Sequence, residues 1–195
     1  MSWNRAQMAF LAAILSLSVA GAAQAGAQPL NRDGVYFRDC LVAAGNAYRI
    51  PAVLLVILLD VEAGRLGEVS PNTNGTVDIG PMQVNDTWLP KIAQHWATSE
   101  RAAYFALRDN FCANVEAGAW ILRMGLDEAG GDLWEGVAFY HSHNPDYKRT
   151  YLASVLTDVL RLQREARANA AAPSSPPPSA RARQSFVLDD HLKGN

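Results

Sequence analysis

The stretch that most limits what this chain can fold into runs from Pro51 to Gly64, where every side chain from Ala52 to Val61 except Asp60 is apolar. It reads as a buried helix, with Pro51 at its first turn and Gly64 as its stop. At helical spacing Leu55, Leu58, Leu59 and Glu62 share one stripe, so the Glu62 carboxyl is expected on the side that faces the core. Loss of water there disfavours the ionised carboxylate, and the negative end of the helix dipole acts in the same direction. A carboxyl kept protonated near neutral pH can serve as a general acid. The plainer alternative is an ion-paired or snorkelling glutamate at a helix end.

The rest of the chain supplies helices around this one. Tyr36 to Tyr48 places Phe37, Cys40, Leu41, Ala44 and Tyr48 at helical spacing, and Arg49 with Ile50 breaks the pattern before the apolar run. Glu100 to Leu107, Cys112 to Met124 and Leu133 to His141 read as further helices. The last is Tyr147 to Ala166, with Tyr151, Val155, Leu156, Val159 and Leu162 on one face. Met82 to Gln94 is expected to re-enter helix, limited by Pro90. Gly64 to Gly80 differs in character, being punctuated by Gly67, by Ser70, Pro71 and Asn72, and by Asn74 with Gly75. Asn74 and Gly75 predict a tight turn, with Thr76 and Val77 in a small hairpin. The expected fold class is mainly α, with a small loop or β-hairpin region near residues 64–80.

The ends of the chain bear on where it works. Arg5 gives a short positive region, Met8 to Val19 an apolar one, and Ala23, Gln24 and Ala25 a small-residue cleavage site. Residues 1–25 are therefore expected to be a signal peptide, with the mature chain beginning at Gly26; a retained anchor is the alternative. Beyond that segment no stretch suits a bilayer span, since Val53 to Leu59 is too short. Residues 26–166 are expected to form one domain, in keeping with 195 residues of which 49% are apolar. From Ala171 to Ser179 the composition switches to Ala, Pro and Ser, which cannot bury a core. Residues 167–195 are thus expected to form an extended or disordered tail, in which Ser185 to Leu188 is either a short docking segment or of no consequence. A net charge of -2 argues against nucleic acid as a partner. Cys40 and Cys112 remain after processing, and in an oxidising compartment an even pair suggests one disulfide, two buried thiols being the alternative. Such a bridge would restrict the unfolded chain by roughly 4 kcal/mol.

Taken in order, several motifs follow the helix that ends at Glu62. They are Asn74 with Gly75; Asp78, Ile79, Gly80, Pro81, Met82, Gln83, Val84 and Asn85; the helix Cys112 to Leu122; and Trp134 to Ser142. The set resembles the soluble lytic transglycosylases of the lysozyme superfamily over about Tyr36 to Leu156. It is most similar to the small specialised members attached to conjugation, pilus and secretion machines. The resemblance implies a lysozyme-like helical domain of the goose-type or transglycosylase kind. It also implies action on peptidoglycan in the periplasm, with glycan strands and components of a conjugation, secretion or pilus complex as partners. No cofactor and no metal are expected, because His141 and His143 with Asp146 make only a weak ligand pattern.

On this resemblance Glu62 is the catalytic acid and base, acting alone where most glycosidases use two carboxyls. Gly80, Met82, Gln83 and Asn85 match the substrate-binding motif. Gly80 would let the backbone approach the sugar, Met82 would line the groove or fill the core beneath it, and Gln83 would both donate and accept. Asn85 would contact substrate or cap the following turn. Tyr140 would hydrogen-bond the Glu62 carboxyl or the substrate, and His141 stands where relatives carry Asn. Asn114 and the glycine after it in the same helix are expected to support packing, with no chemistry. The two cysteines fit a bridge found in some small relatives. Ala63 replaces the Ser that is usual after the acid, and Pro81 replaces a Leu. A hydrolase would need a second carboxylate to activate water, for which Asp78 is the candidate.

Overall fold

The computed structural model describes residues 32–171, with side chains from Tyr36 onward. The expected signal peptide, the start at Gly26, the stretch after Ala171 and the segment Ser185 to Leu188 lie outside the described residues. The chain is mainly α. It opens with α1 (Arg32–Tyr48) and α2 (Ala52–Glu62), joined by a break at Arg49, whose φ is 55°. Three short strands follow, β1 (Val69–Pro71), β2 (Val77–Ile79) and β3 (Val84–Asn85), forming one antiparallel sheet in the order β1-β2-β3. A 3-10 turn over Asp86–Trp88 leads into α3 (Leu89–His95), α4 (Glu100–Asp109), α5 (Phe111–Glu128), α6 (Leu133–His141) and α7 (Pro145–Ala171).

Local chemistry accounts for most of these boundaries. Ser99, Asn110 and Asp132 each sit at a helix N-cap and accept a backbone N–H from Ala102, Ala113 and Glu135. The β1–β2 hairpin is closed by Gly75 at φ 85° and by the Asn74 side chain, which accepts the Thr76 N–H at 3.1 Å. The turn from β2 to β3 has Pro81 in its second position, and the Gln83 N–H closes it on the Gly80 carbonyl at 3.1 Å. Proline presets the backbone for that place, which explains why this turn accommodates Pro81.

That turn is also why the helix expected over Met82 to Gln94 does not form as one piece. Val84 and Asn85 are taken into the sheet, paired with Ile79 and Asp78, and helix resumes only at Leu89. Pro90 lies in the first turn of α3, where its missing N–H goes unused, so it starts a helix rather than limiting one. The other expected helices are present, and α7 continues to Ala171, past the expected end at residue 166. Its buried stripe is Tyr151, Val155 and Val159, four residues apart, whereas Leu156 is 45% exposed.

The core lies around α5, which packs most extensively against α1 and α6. Val115, Leu122 and Leu126 from α5 join Leu55 and Leu58 from α2, Val137 from α6 and Val155 from α7 in one apolar cluster. Cys40 and Cys112 form a disulfide that ties α1 to the first turn of α5. Among the described residues no single helix is long and apolar enough to cross a membrane; α1 and α2 meet that test only as a pair, and are bent by 116°.

The end of α2 differs from its expected form. Ala63, not Gly64, takes the left-handed position at φ 52°, its N–H bonded to the Leu59 carbonyl at 3.0 Å. Gly64 is needed for clearance, because a Cβ there would lie 2.1 Å from the Gly80 carbonyl oxygen. An L-residue in the left-handed region costs roughly 1–2 kcal/mol, partly offset by the lower chain entropy of alanine when unfolded. Ala63→Gly should therefore raise thermal stability by up to about 1 kcal/mol in a calorimetric melt. A lower melting temperature would show that the methyl group is held by packing.

Candidate active site

Glu62 ends α2 at the point where the helix meets the sheet and the start of α7. Its carboxyl, half-buried, accepts a hydrogen bond of 2.7 Å from the Tyr151 hydroxyl in α7. It lines a cleft of about 530 Å³. The sheet side of that cleft carries Asn72, Asn74, Thr76, Asp78, Asn85 and Trp88. The helical side carries Tyr140, His141, Ser142 and Tyr147. The lining is rich in amides and hydroxyls, with two carboxyls among the described residues, Glu62 and Asp78.

Burial pushes the Glu62 carboxyl up from 4.5 to about 7. The Tyr151 hydrogen bond pulls the other way, since it favours the ionised form, and the nearby charge of Asp78 pushes up again. Near neutral pH the group is thus poised to give a proton and to take one back. A glutamate in the unfolded chain loses its proton near 4.5, whereas the folded one keeps it to about 7. Burial of the neutral acid therefore favours the folded chain fully below the lower value, and that contribution is lost as pH rises through about 7.

Asp78 is held by its neighbour across the sheet. Asp78 and Asn85 are register partners on β2 and β3, and the Asn85 amide donates to Asp78 Oδ1 at 2.7 Å and to Thr76 Oγ1 at 2.9 Å. The Asn85 carbonyl oxygen accepts both the Thr87 N–H, at 3.2 Å, and the Thr87 hydroxyl, at 2.7 Å. Every hydrogen-bonding site of this amide is filled from within the chain. Asn85 lines the cleft, but as a cap and a brace for Asp78.

The other residues singled out from sequence divide into two groups. Gln83 and His141 line the cleft with Glu62. Gln83 is left-handed at φ 47° and donates through Nε2 to the Gly80 carbonyl at 2.8 Å, leaving its side-chain oxygen without a partner among the described residues. The His141 ring stacks on Tyr151 with centroids 4.6 Å apart and planes 3° from parallel. Burial pulls its imidazole below the ordinary value, opposed by the charge of Asp78. Gly80 and Met82 do not reach the cleft. Met82 is fully buried against Gly118, where a Cβ would come within 2.7 Å of its methyl carbon. Gly80, at φ 67°, gives clearance to the Asn114 side chain and the Leu107 carbonyl rather than to a ligand.

Tyr140 lines the cleft, but its hydroxyl donates to the Met82 carbonyl at 2.7 Å and not to Glu62. Burial, and then the charges of Glu62 and Asp78, hold its phenol well above the ordinary range, so it stays a donor. The tyrosine on Glu62 is Tyr151, which in the sequence is marked only by its place on the apolar face of the last helix. A signal for it was present: a tyrosine heading a buried stripe must find a partner for its hydroxyl. Trp88 and Tyr147 were likewise missed as cleft residues, because nothing local in the sequence distinguishes a cleft aromatic from a packed one.

No family model matches the chain. Over 136 residues it is 28% identical to Protein IpgF of Shigella flexneri, a match that covers 67% of this chain and 86% of that protein. The protein of the same name from Shigella sonnei matches over the same length at the same identity.

Removing the Tyr151 hydroxyl should leave Glu62 with a stronger hold on its proton. In Tyr151→Phe the ionisation of Glu62, followed by carboxyl-carbon NMR, is expected to move above about 7. An unchanged or lower midpoint would mean that the hydrogen bond does not bear on the acid.

Proposed function

We propose that this protein is an exported peptidoglycan lytic transglycosylase. It would cut the β-1,4 bond between N-acetylmuramic acid and N-acetylglucosamine and leave a 1,6-anhydro end, opening the wall locally for a conjugation, secretion or pilus apparatus. The observation that carries the reading is a single carboxyl raised to about 7, set in a polar cleft and hydrogen-bonded by one buried phenol. The order of motifs in the sequence supplies the substrate class and the association with an apparatus. The apolar segment with a small-residue cleavage site supplies the periplasmic location.

The chemistry needs one proton moved twice. Protonated Glu62 gives its proton to the glycosidic oxygen as the bond to C1 breaks, so the departing sugar leaves as an alcohol. The carboxylate that remains then takes the proton of the 6-hydroxyl of the muramic acid unit, and O6 bonds to C1. Glu62 ends as it began, and no water is consumed. An acid with its pKa near the working pH suits both steps. Tyr151 fixes the carboxyl in place, and His141, stacked on that phenol, extends the same wall.

One observation favours a second reading. Asp78 lines the same cleft, and its charge is felt by Glu62. With two carboxyls in reach of one substrate, water could be activated, and the product would be a reducing end in place of the anhydro ring. A wall-binding protein without turnover is the third possibility, and it predicts no fragments at all.

Mass spectrometry of fragments released from purified walls separates the three. Anhydro ends are expected from the native protein, and Glu62→Gln should reduce release at least about a thousandfold while retaining wall binding. Asp78→Asn removes a charge that raises Glu62, so loss of activity with rising pH should begin at lower pH while anhydro ends persist. Reducing ends that vanish in Asp78→Asn would establish hydrolysis. Undiminished release by Glu62→Gln would overturn the proposal.

A further inference from the structure

Tyr147 is 62% exposed, the most exposed large apolar side chain among the described residues, and yet it lines the concave cleft that holds Glu62. Its side chain makes no hydrogen bond, ion pair or ring contact with any described residue. A large ring left unpartnered inside a cleft differs from one scattered on a convex surface, because concave aromatic surface is what small ligands bury.

The backbone that carries the ring is well held. Tyr147 lies in the first turn of α7, where the Asn144 side chain accepts the Asp146 N–H at 2.9 Å and the Asn144 carbonyl accepts the Lys148 N–H at 2.9 Å. Its neighbour Lys148 is paired with Glu135 of α6, and the amine lies 5.0 Å from the centre of the Phe139 ring. The platform is thus fixed at its base and open at its face, an arrangement that limits the ordering entropy lost on binding.

The other wall carries a second ring. Trp88, between the sheet and α3, also lines the cleft, and it is held edge-on against Trp120 with centroids 6.1 Å apart. Lys91 Nζ lies 4.8 Å from the centre of the Trp88 ring, so part of that indole is already covered. Tyr147 is therefore the free ring and Trp88 the rigid one. No cation is among the described residues that line the cleft, and the charge of Asp78 discourages an anionic group against the ring. What suits amides, hydroxyls and an uncovered aromatic face together is an uncharged N-acetylated pyranose, with polar edges for the amides and an apolar C–H face for the ring.

We propose that Tyr147 is a stacking platform for a pyranose ring of the glycan strand, and that it sets the affinity of the cleft for uncharged N-acetylamino-sugar oligomers. This rests on the glycan-cleaving reading above, so the test is built to tell the two apart. The probe is chitotetraose, four β-1,4-linked N-acetylglucosamine units, titrated into the Glu62→Gln protein and followed by tryptophan fluorescence, for which Trp88 is the reporter in the cleft.

Adding Tyr147→Ala to that protein is expected to weaken binding about tenfold, while Tyr147→Phe and Tyr147→Trp keep it within about twofold, since the ring and not the hydroxyl makes the contact. Because Tyr147 is exposed, all three variants should melt with the parent, which circular dichroism checks. If Tyr147→Ala binds as well as the parent, the platform is refuted while the glycan reading stands. If Glu62→Gln with Tyr147 intact binds neither chitotetraose nor purified walls, the glycan reading itself fails, and this inference with it.

Discussion

The cleft takes its shape from the side chain of Asn114, the fully buried polar residue of the described core. Its oxygen accepts the Met82 N–H at 2.7 Å, and its amide donates to the Ile79 and Leu107 carbonyls, each at 2.9 Å. One side chain on α5 thus fastens the turn between β2 and β3 to the end of α4. Each backbone group left unpaired in such a place costs about 1–3 kcal/mol, so the three bonds act as a strong constraint on where the turn can sit. Gly80 makes the approach possible, since a Cβ there would lie 2.5 Å from the Asn114 amide nitrogen. With the turn fixed, Gln83 and the Asp78–Asn85 pair have no choice of position, and the α2 terminus packs against them through Gly64.

That packing is what makes Glu62 unusual. An acid at the end of a helix normally finds water, but here the sheet closes over one side and α7 over the other. Burial raises its pKa, the Tyr151 bond restrains the rise, and Asp78 adds to it. The result is balance, with the acid able to hold or release a proton at neutral pH. Tyr151 is itself pushed far above the ordinary range of a phenol, first by burial and then by the charge of Glu62, so it serves as a donor at every accessible pH.

The secondary structure was largely legible in the sequence because its helices are amphipathic and capped by residues with recognisable chemistry. Where the reading failed, a competing local rule had won. Over residues 82–94 Pro81 and the left-handed Gln83 form a turn that delivers Val84 and Asn85 to the sheet, so helix resumes only at Leu89. At the end of α2 the glycine was needed for space, and an alanine took the strained conformation. The site was legible in part. A carboxyl at the end of an apolar helix can be seen in a sequence, whereas the identity of its partner depends on how α7 crosses α2. Tyr140 and Tyr151 both had a hydroxyl to place, and only the packing of the helices decided that Tyr151 meets Glu62 while Tyr140 meets the Met82 carbonyl. Tyr147 and Trp88 carry no local mark, since their place in the cleft follows from the ends of elements far apart in the chain.

The protonation state of Glu62 underlies the whole chemical account, and it can be measured without substrate. Carboxyl-carbon NMR of the labelled, folded protein, with Glu62→Gln identifying the resonance, should give a midpoint near 7. A midpoint near 4.5, the value of an ordinary glutamate, would leave no acid to protonate a leaving group at neutral pH and would contradict the account.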